Sequence, residues 1–505
     1  MRGLYINCDG REIPASIELA KKYSKTFVFP ENIGSGQIIY NAAEWQEEPI
    51  FVCDEHTFVV AGWFIYQGKR NNIEQLAQDI IAKGIKVIND VDIGSFVIYW
   101  HNGIEASVIV DPIGLSSHYI DLRAERLTVA PSVKVLFNEN HHTVNSTMVN
   151  ILDKKDHLFG DYTLYDGIER LTPATVCSKT EKTSYGSLDT NLIKPIENLG
   201  EQIKELNEYW PEQEKILPIS SGLDSRFILA NSQFDNGFTY GPDNSPEINI
   251  SKQFSSEFKD YYAYDYCMPA LYKDDQQVND EMSFGVLKPI PRLLTNYIHV
   301  KNRFKSANAF FDGYCGDVFQ RGTFLNFKGK LGEIFKILPW YYRSLKWNAE
   351  TILRKRHQIL NDEEFALFYH DFKRKTDNLA LDDYQKITYY EFLFGRGGRY
   401  AIYGSNILAA QVFTIVSPFS HRIILTSLLH QDFFDGVMYK TMKKLWRNMP
   451  KRYRDKQVES GYKPQTYIVL IPFIQIVYRL MFHFIPSRAN YGVKMRREQK
   501  NKINK

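Results

Sequence analysis

The sequence predicts a β-rich N-terminal domain followed by an α/β domain with many helices. Three observations support this prediction. Short apolar runs separated by turn residues dominate the first part of the chain, a strand–loop–helix pattern begins at Lys215, and long amphipathic patterns of helical period fill much of the remainder. The chain has 505 residues and is 44% hydrophobic, so it can bury the cores of more than one domain and is neither disordered nor collagen-like.

The N-terminal strands are predicted from short apolar runs that end in turn residues. HNG at residues 101–103 and DPIG at residues 111–114 are turn signals of this kind. Helical patterns are few in this region and cover residues 16–22 and 72–83. The predicted strands include residues 50–52, 57–61, 95–100 and 106–110.

The C-terminal part begins with a predicted β-α-β unit. Residues 215–219 form a short buried-strand pattern, a helix is predicted from Arg226, and residues 238–241 form the next strand. The ligand of such a unit is expected at the carboxyl ends of its strands. Further helices are predicted over residues 246–257, 331–344, 364–377 and 384–394.

The domain boundary is predicted just after a polar stretch over residues 178–191. We therefore divide the chain into a domain of residues 1–195, a domain of residues 196–465, and a C-terminal region of residues 466–505. The last region combines an apolar segment with a basic tail.

Charge is balanced over the whole chain but not along it. Lys plus Arg total 62 and Asp plus Glu total 59, a net charge of +3, which indicates no nucleic-acid partner. Residues 488–505 carry seven Lys or Arg and one acid. The apolar stretch over residues 467–478 is shorter than the about 20 residues that span a bilayer, so a buried helix is predicted there. The alternative is an interfacial segment that contacts a membrane peripherally together with the basic tail.

Cysteine usage and the N-terminus favour a cytoplasmic protein. The five cysteines are scattered and form no CxxC pair, which argues against a disulfide framework or a zinc site. The first residues include no long apolar stretch, so no signal peptide is predicted.

The loop after the strand at residues 215–219 carries the strongest chemical signal. It reads SSGLDS at residues 220–225 and precedes a helix. Small residues let backbone N–H groups approach phosphate oxygens at a helix N-terminus, and the hydroxyls add donors. Asp224 would carry charge to a Mg²⁺ ion that bridges the phosphates. A Walker sequence is absent, and a plain strand-to-helix turn is the alternative interpretation.

Several motifs in the same order resemble those of the asparagine synthetase family. SSGLDS at residues 220–225 resembles the family's pyrophosphatase loop SGGxDS, with Ser221 in place of the first Gly. FDGYCGDVF at residues 311–319 resembles SGEGxDE, VSPFSHR at 416–422 resembles VRxPFLDHR, and GYKP at 461–464 resembles KxGFxxP. DPIG at residues 111–114, and LYDGI at 164–168 with LTP at 171–173, resemble RDPLG and LFxGIxxLPPG of the family's glutaminase-like domain.

The resemblance implies both a fold and an activity. The fold is an α+β glutaminase-like (Ntn-type) sandwich followed by an α/β PP-loop ATP-pyrophosphatase domain rich in helices. The activity is that of a ligase that uses ATP and Mg²⁺, adenylates a carboxylate, joins it to an amine or ammonia, and releases AMP and pyrophosphate. Asp224 and Asp317 are the implied Mg²⁺ ligands. The implied ATP-binding residues are Ser220, Ser221, Gly222, Leu223, Asp224, Ser225 and Gly313.

Three further residues, Tyr314, Glu391 and Lys456, are predicted to be catalytic. Tyr314 falls on the acid of SGEGxDE, and beta-lactam synthetase, a relative without glutaminase chemistry, uses a Tyr–Glu pair to deprotonate its amine. Glu391 is the candidate partner, because a phenol needs a carboxylate or a cation nearby to act as a base near neutral pH. Lys456 falls near the lysine that precedes GFxxP, where it would offset negative charge on the acyl-adenylate and pyrophosphate. A core aromatic and a solvated lysine are the alternative interpretations of Tyr314 and Lys456.

The glutaminase-like half lacks the residues that its chemistry needs. The family uses a mature N-terminal Cys as nucleophile, but position 2 is Arg2. Ala61 falls where an Asn helps to form the oxyanion hole, and Ser95 falls where an acid helps to hold glutamine. Cys8 is predicted to be a small buried residue. We therefore expect this domain to keep its fold without hydrolysing glutamine, like the family's glutaminase-deficient relatives, such as beta-lactam synthetase and the lasso peptide cyclases.

The sequence leaves the substrates open. The carboxylate could belong to a small molecule, a peptide or a sugar, and the nitrogen could come from an amine or from free ammonia. Asparagine synthesis from free ammonia is one alternative, and a catalytically inert scaffold is the other. The intact Ser220, Gly222, Asp224, Ser225 and Asp317 argue against the scaffold, because a decaying site would lose them first.

Overall fold

The computed structural model describes residues 1–11, 18–186, 188–243, 245–314, 316 and 339–484. Over these residues the protein is α/β, with two antiparallel sheets, one parallel sheet and many helices. Asp317, most of the helix predicted over residues 331–344, and the basic tail lie outside the described residues. The predicted role of Asp317 as a Mg²⁺ ligand therefore stays a prediction.

The antiparallel strands lie in the part of the chain that precedes residue 195, which we refer to as the N-terminal half. Every strand that the sequence predicts there is confirmed, and β5 is longer than predicted because its apolar side chains continue to Tyr66. In chain order the strands are β1 (Gly3–Ile6), β2 (Ser24–Val28), β3 (Gly36–Asn41), β4 (Ile50–Cys53), β5 (His56–Tyr66), β6 (Lys69–Arg70), β7 (Ile93–His101), β8 (Ala106–Val110), β9 (Tyr119–Asp121), β10 (Val129–Ala130), β11 (Ile168–Arg170), β12 (Thr175–Ser178) and β13 (Lys182–Ser184).

These strands form two sheets that share a core. One sheet has the order β11-β9-β10-β1-β3-β2, and the other has the order β13-β12-β8-β7-β5-β4, with β6 paired to β5. Leu4 and Ile38 of the first sheet and Val60 and Val97 of the second belong to one buried apolar cluster. The N-terminal half is therefore a sandwich of two antiparallel sheets, each of which buries one face against the other.

The C-terminal half, residues 196–484, contains a parallel sheet. Its strand order is β16-β15-β14-β17-β18, and each neighbouring pair is parallel. The predicted β-α-β unit is confirmed, and its helix begins at Asp224, slightly before the predicted start. The strands are β14 (Lys215–Pro218), β15 (Asn236–Tyr240), β16 (Asp260–Tyr264), β17 (Ala309–Phe311) and β18 (Thr414–Val416).

Both halves contain helices, and most of the described helices lie in the C-terminal half. A π-helical segment covers Gly397–Asn406. The α-helices among the described residues are α1 (Glu18–Tyr23), α2 (Ile73–Lys83), α3 (Val133–Leu136), α4 (Ser146–Lys155), α5 (Gly200–Asn207), α6 (Asp224–Asn231), α7 (Pro246–Ser251), α8 (Asp275–Ser283), α9 (Leu293–Arg303), α10 (Pro339–Ser344), α11 (Ala349–Arg356), α12 (Asp362–Thr376), α13 (Asp383–Leu393), α14 (Ile407–Ala410), α15 (Arg422–Leu429), α16 (Phe433–Val437), α17 (Lys440–Leu445), α18 (Lys451–Arg454) and α19 (Ile471–Phe484).

Helix α19 contains most of the apolar stretch for which a buried helix is predicted. The prediction is wrong for one face of this helix. Phe473, Val477 and Leu480 are exposed, whereas Ile471 is buried. The helix lies on the surface of the C-terminal half, so only one side of it meets the core. None of the helices in the described ranges is long and apolar enough to cross a membrane.

Buried side chains join the two halves. Arg170 of β11 is fully buried and donates hydrogen bonds to the Tyr403 hydroxyl at 2.8 Å and to the Leu393 carbonyl at 3.0 Å. The Trp63 indole N–H donates to the Ile415 carbonyl at 3.1 Å. Because the acceptors of these buried donors belong to the other half, the two halves pack against each other as one body.

Candidate functional site

Two of the sequence motifs follow the two strands where the order of the parallel sheet reverses. β14 pairs with β15 on one side and with β17 on the other. The loop at residues 220–225 follows β14, and Gly313 follows β17. Open parallel sheets bind ligands in the crevice at the carboxyl ends of such strands. We refer to residues 219–225, 312–314 and 316 as the switch-point crevice.

The loop before α6 is held by its own side chains. The Ser220 and Ser225 hydroxyl oxygens lie 3.0 Å apart, and the Ser220 N–H donates to Ser225 Oγ at 3.0 Å. The Gly222 N–H donates to Ser220 Oγ at 3.1 Å. The loop is thereby fixed at the start of a helix, where first-turn N–H groups lack intrahelical acceptors. This arrangement suits a bound anion.

Gly313 and Gly316 pack directly against the start of α6. A Cβ atom at Gly313 would lie 2.8 Å from the Ser225 nitrogen and 3.2 Å from the Asp224 carbonyl carbon. A Cβ atom at Gly316 would lie 2.6 Å from Asp224 Oδ1 and 2.8 Å from the Phe419 ring. Only glycine permits this approach without displacement of the backbone or the carboxylate. Three motifs that are far apart in sequence therefore meet at one point.

Asp224 is the predicted Mg²⁺ ligand that the structure describes. Its carboxylate lies beside Gly316 at the first turn of α6. Within the described ranges, no group of three or more His, Cys, Asp or Glu side chains could hold a metal ion. A Mg²⁺ ion that bridges phosphates needs only one or two protein carboxylates, because the phosphates and waters complete its shell. The role of Asp224 as one of these ligands stays a prediction.

Arg226 joins the loop to the segment that carries Lys456. Its guanidinium donates to the Ser221 carbonyl at 3.0 Å, to the Lys456 carbonyl at 2.8 Å and to the Gln457 carbonyl at 2.9 Å. Arg226 is fully buried, and its burial lowers the pKa of the guanidinium to about 10. The Lys456 backbone is thus anchored beside the Ser221 loop, and the role of its side chain stays a prediction.

Two glutamates beside the loop were not among the predicted site residues. Glu247 of α7 accepts the Ser221 N–H at 2.8 Å and also the Ser221 hydroxyl. Glu459 follows Lys456, and its burial, together with the nearby charge of Glu247, raises the pKa of Glu459 to about 7. Both Ser221 donors are therefore bound to a carboxylate in this structure, and a phosphate oxygen would have to displace that carboxylate to use them.

Asp312 and Tyr314 lie on the other wall of the crevice. The Asp312 carboxylate accepts the Tyr314 N–H at 3.0 Å, and the Asp312 N–H donates to the Val416 carbonyl at 2.8 Å. Burial raises the pKa of Asp312 to about 6. Tyr314 is half-buried and packs against the apolar clusters of the C-terminal half. Its position beside Gly313 agrees with the sequence motif, and its role as a base stays a prediction.

Glu391 lies in a buried ionic cluster. Its Oε1 accepts from Arg356 Nε at 3.0 Å and lies 2.9 Å from His357 Nε2, and its Oε2 accepts the Arg396 N–H at 3.0 Å. Although burial opposes ionisation, the Arg356 charge and the His357 hydrogen bond hold the pKa of Glu391 well below its ordinary value. A carboxylate with these partners stabilises the packing of α13 against α11, and its predicted pairing with Tyr314 stays a prediction.

A cavity of about 80 Å³ lies between the two halves. Its lining includes Arg2, Ala61 and Ser95, the three positions at which the sequence predicts the loss of glutaminase residues. The other half contributes Gln411 and Ile415. We refer to this space as the Arg2 cavity. The structure therefore brings together all three substituted positions.

The Arg2 side chain lines this space and is hydrogen-bonded to both halves. Its guanidinium donates to the Phe413 carbonyl at 3.0 Å, to the Gln411 carbonyl at 2.9 Å and to Ser24 Oγ at 3.2 Å. Burial lowers the pKa of Arg2 to about 10, and the charge of Glu44 opposes that shift. Arg2 thus joins the sandwich to the C-terminal half.

Cys8 is buried, as predicted. It follows β1, and its thiol lies 3.3 Å from the Ile6 carbonyl and 3.4 Å from the Val129 carbonyl. Burial raises the pKa of the thiol to about 11, so the reactive thiolate is disfavoured at neutral pH.

No protein-family model matches the chain, and no curated protein matches it significantly. The functional conclusion therefore depends on the geometry of the crevice and on the sequence motifs.

Sequence reasoning missed Arg226, Glu247, Asp312 and Glu459. The sequence motifs could have indicated two of these residues, since Arg226 follows the SSGLDS loop directly and Asp312 precedes Gly313 within a motif. No sequence motif could have indicated Glu247 or Glu459, because only the fold brings them to Ser221 and to each other.

Proposed function

We propose that this protein is an ATP-dependent ligase of the asparagine synthetase type, which adenylates a carboxylate and joins it to an amine or ammonia. One observation supports the proposal above all. The SSGLDS loop, Gly313 and Gly316 converge on the first turn of α6, at the carboxyl ends of the strands where a parallel sheet reverses its order. In this proposal the C-terminal half is a PP-loop ATP-pyrophosphatase domain, and the N-terminal half is an Ntn-type sandwich.

The residues of the crevice fit a nucleotide polyphosphate. Hydroxyls of Ser220, Ser221 and Ser225 surround the helix start, and Ser221 already donates twice to the Glu247 carboxylate. The glycines let the segment after β17 pack closely against the first turn of α6. In the ligase, Asp224 would hold Mg²⁺ on the phosphates, and bound ATP supplies the activation of the carboxylate.

The neighbouring side chains have roles that follow from their contacts. Arg226 holds the 456–457 backbone against the Ser221 carbonyl, so that the Lys456 side chain starts beside the loop. There its charge would offset negative charge that develops on the phosphates and the acyl oxygen. Tyr314 is the candidate base for the amine, since it follows Gly313 directly.

The nitrogen does not come from glutamine hydrolysed by this chain. Arg2 lines the cavity where a nucleophile would stand, and Ala61 and Ser95 supply neither the amide nor the acid that the family uses at these positions. The amine is therefore part of a substrate, or ammonia is taken up directly. We expect the purified protein to release no glutamate from glutamine, and measurable release would overturn this part of the proposal.

ATP–pyrophosphate exchange with a panel of carboxylates tests the activity. We expect exchange with at least one carboxylate, and a decrease of about 100-fold or more in Asp224→Asn, because the lost charge serves the phosphates and their metal ion. Asp54→Asn, in an exposed turn between β4 and β5, is the matched control and should exchange like the wild type. ATP binding without exchange for any carboxylate would favour the inert scaffold and overturn the ligase.

A further inference from the structure

Helix α19 is apolar on both faces, but only one face is covered. Its sequence is IPFIQIVYRLMFHF, without an acidic residue. Ile471 is fully buried, and Ile474 packs against the core of the C-terminal half. Phe473, Val477 and Leu480 are spaced at i, i+4 and i+7, and are 55%, 54% and 52% exposed. This spacing places them along one side of the helix, opposite the buried side.

The inner face is fixed by specific contacts, so the orientation of the outer face is fixed as well. The Tyr439 hydroxyl donates to Gln475 Oε1 at 3.0 Å, and the Tyr478 ring lies directly against Gly461. Both partners belong to the body of the C-terminal half. A helix held in this way presents Phe473, Val477 and Leu480 outward.

The exposed apolar surface continues into the turn that precedes the helix. Tyr467 and Val469 are 76% and 70% exposed, and Leu470 is about half exposed. The outer stripe, as we refer to it, consists of Tyr467, Val469, Leu470, Phe473, Val477 and Leu480. Contiguous apolar patches of this kind mark sites of interaction with another apolar phase or with a protein.

Charge decides between these two kinds of partner. No Asp or Glu occurs between Glu459 and Glu498, and residues 488–505 carry seven Lys or Arg with one acid. A stripe of aromatic and aliphatic side chains next to a basic segment matches a bilayer surface, which offers an apolar interior below anionic head groups. A protein groove would satisfy the stripe but gives no reason for the long acid-free run.

We propose that the outer stripe binds the surface of an anionic lipid bilayer. The outer stripe enters the boundary between head groups and acyl chains, with the α19 axis parallel to the membrane plane. The Lys and Arg residues after α19 attract anionic head groups. This contact holds the protein at a membrane surface without spanning it, and it is independent of the activity proposed above.

Co-sedimentation of the full-length protein with lipid vesicles tests the role of the stripe. The probes are vesicles of phosphatidylcholine alone and vesicles of equal parts phosphatidylcholine and phosphatidylserine. We expect the protein to bind the second kind, and the triple variant F473S/V477S/L480S to bind at least about tenfold more weakly. The matched control V28S/V52S/I104S changes three aliphatic residues that are 67%, 58% and 92% exposed elsewhere, and should bind like the wild type.

A second pair of variants tests the role of charge. We expect R488Q/K494Q/R496Q/R497Q to bind the phosphatidylserine vesicles on the order of 100-fold more weakly, since each basic residue near an anionic surface contributes severalfold. The control K25Q/K69Q/K86Q/K346Q removes the same charge from exposed positions of the body and should bind like the wild type.

Three outcomes would overturn the proposal. The first is a wild-type protein that does not sediment with phosphatidylserine vesicles. The second is a triple stripe variant that binds as the wild type does. The third is a wild-type dimer in light scattering that the stripe variant dissociates, without any binding to vesicles, because the stripe would then be an interface between two copies of the chain.

Discussion

The switch-point crevice and the Arg2 cavity differ in what occupies the space between the elements that form them. In the crevice, Gly313 and Gly316 bring backbone against the start of α6, and small hydroxyl residues surround the opening. In the Arg2 cavity, a long side chain lines the space and donates to Gln411 and Phe413. The first region brings hydroxyls and backbone donors to the start of a helix, and the second uses its donors to join two halves of the protein.

This difference shows that two junctions of the same fold can be packed in different ways. The sandwich and the parallel sheet are both intact, so neither region has lost the elements that form it. What distinguishes them is the volume and charge of a few side chains at the junction. Glu391 belongs to neither region by its hydrogen bonds, although the sequence suggested a place for it in the first.

The largest effect on stability is expected from Glu391→Gln. The substitution leaves the Arg356 charge without its buried partner, so the free energy of unfolding should fall by about 3 kcal/mol in chemical denaturation at neutral pH. Because the pKa of Glu391 is held below its ordinary value, this stabilisation is present above that value and is lost as pH falls. Glu363→Gln, at an exposed position of α12, is the control. If Glu391→Gln left the free energy of unfolding unchanged but abolished the ligase activity, Glu391 would instead act as the partner of Tyr314.

The next effect concerns the crevice itself. We expect Gly313→Ala to lower ATP–pyrophosphate exchange by about 100-fold, because the new methyl group would displace the first turn of α6. Gly404→Ala is a matched control, since its methyl group would meet only the end of the Ile290 side chain. Normal exchange by the Gly313 variant would show that the close approach of the two motifs is not needed for activity.

In the Arg2 cavity, a substitution should lower stability and leave ATP–pyrophosphate exchange nearly unchanged. Arg2→Met keeps the apolar stem but removes donors to two carbonyls and a hydroxyl, so we expect the free energy of unfolding to fall by about 2 kcal/mol. Exchange should change little, and glutaminase activity should not appear. Arg126→Met, on the surface, is the control for loss of charge. A loss of exchange without a loss of stability would contradict the separation of the two regions.

The smallest effect is a pH dependence that Asp312 contributes. Burial raises its pKa from 3.8 to about 6, so the folded protein binds this proton more tightly than the unfolded chain does. The contribution to stability is therefore complete below pH 3.8 and is lost as pH rises through 6. Relative to Asp312→Asn, the wild type should lose unfolding free energy across this range, by no more than the about 3 kcal/mol to which the shift corresponds. Identical pH profiles would show that the carboxyl is solvated, and Asp54→Asn serves as the control.

The local patterns were predictable, and the distant contacts were not. The apolar runs that became β4, β5, β7 and β8 and the helical pattern that became α2 are properties of neighbouring residues, so the sequence displays them directly. Glu247 is different, because it lies 26 residues from Ser221 and no periodicity connects them. Its role became visible only when β15 and α7 were placed beside β14.

Helix α19 shows the limit of pattern reasoning for exposure. Its residues are apolar on every side, and such a pattern predicts a buried helix. Whether a neighbour covers each side depends on the position of the helix in the fold, and here only the face with Ile471 and Ile474 is covered.

Local periodicity and residue type account for the order of strands and helices, for the small hydroxyl residues of the SSGLDS loop, and for the residues that stand at positions 2, 61 and 95. The sequence displays all of these directly. The packing of the fold, in contrast, brings Gly313 and Gly316 against Asp224 and Ser225, places Arg2, Ala61 and Ser95 around one cavity, and pairs Glu391 with Arg356. The reason is physical: each of these contacts joins residues far apart in the chain, and it exists only once the sheets and helices that carry them have packed.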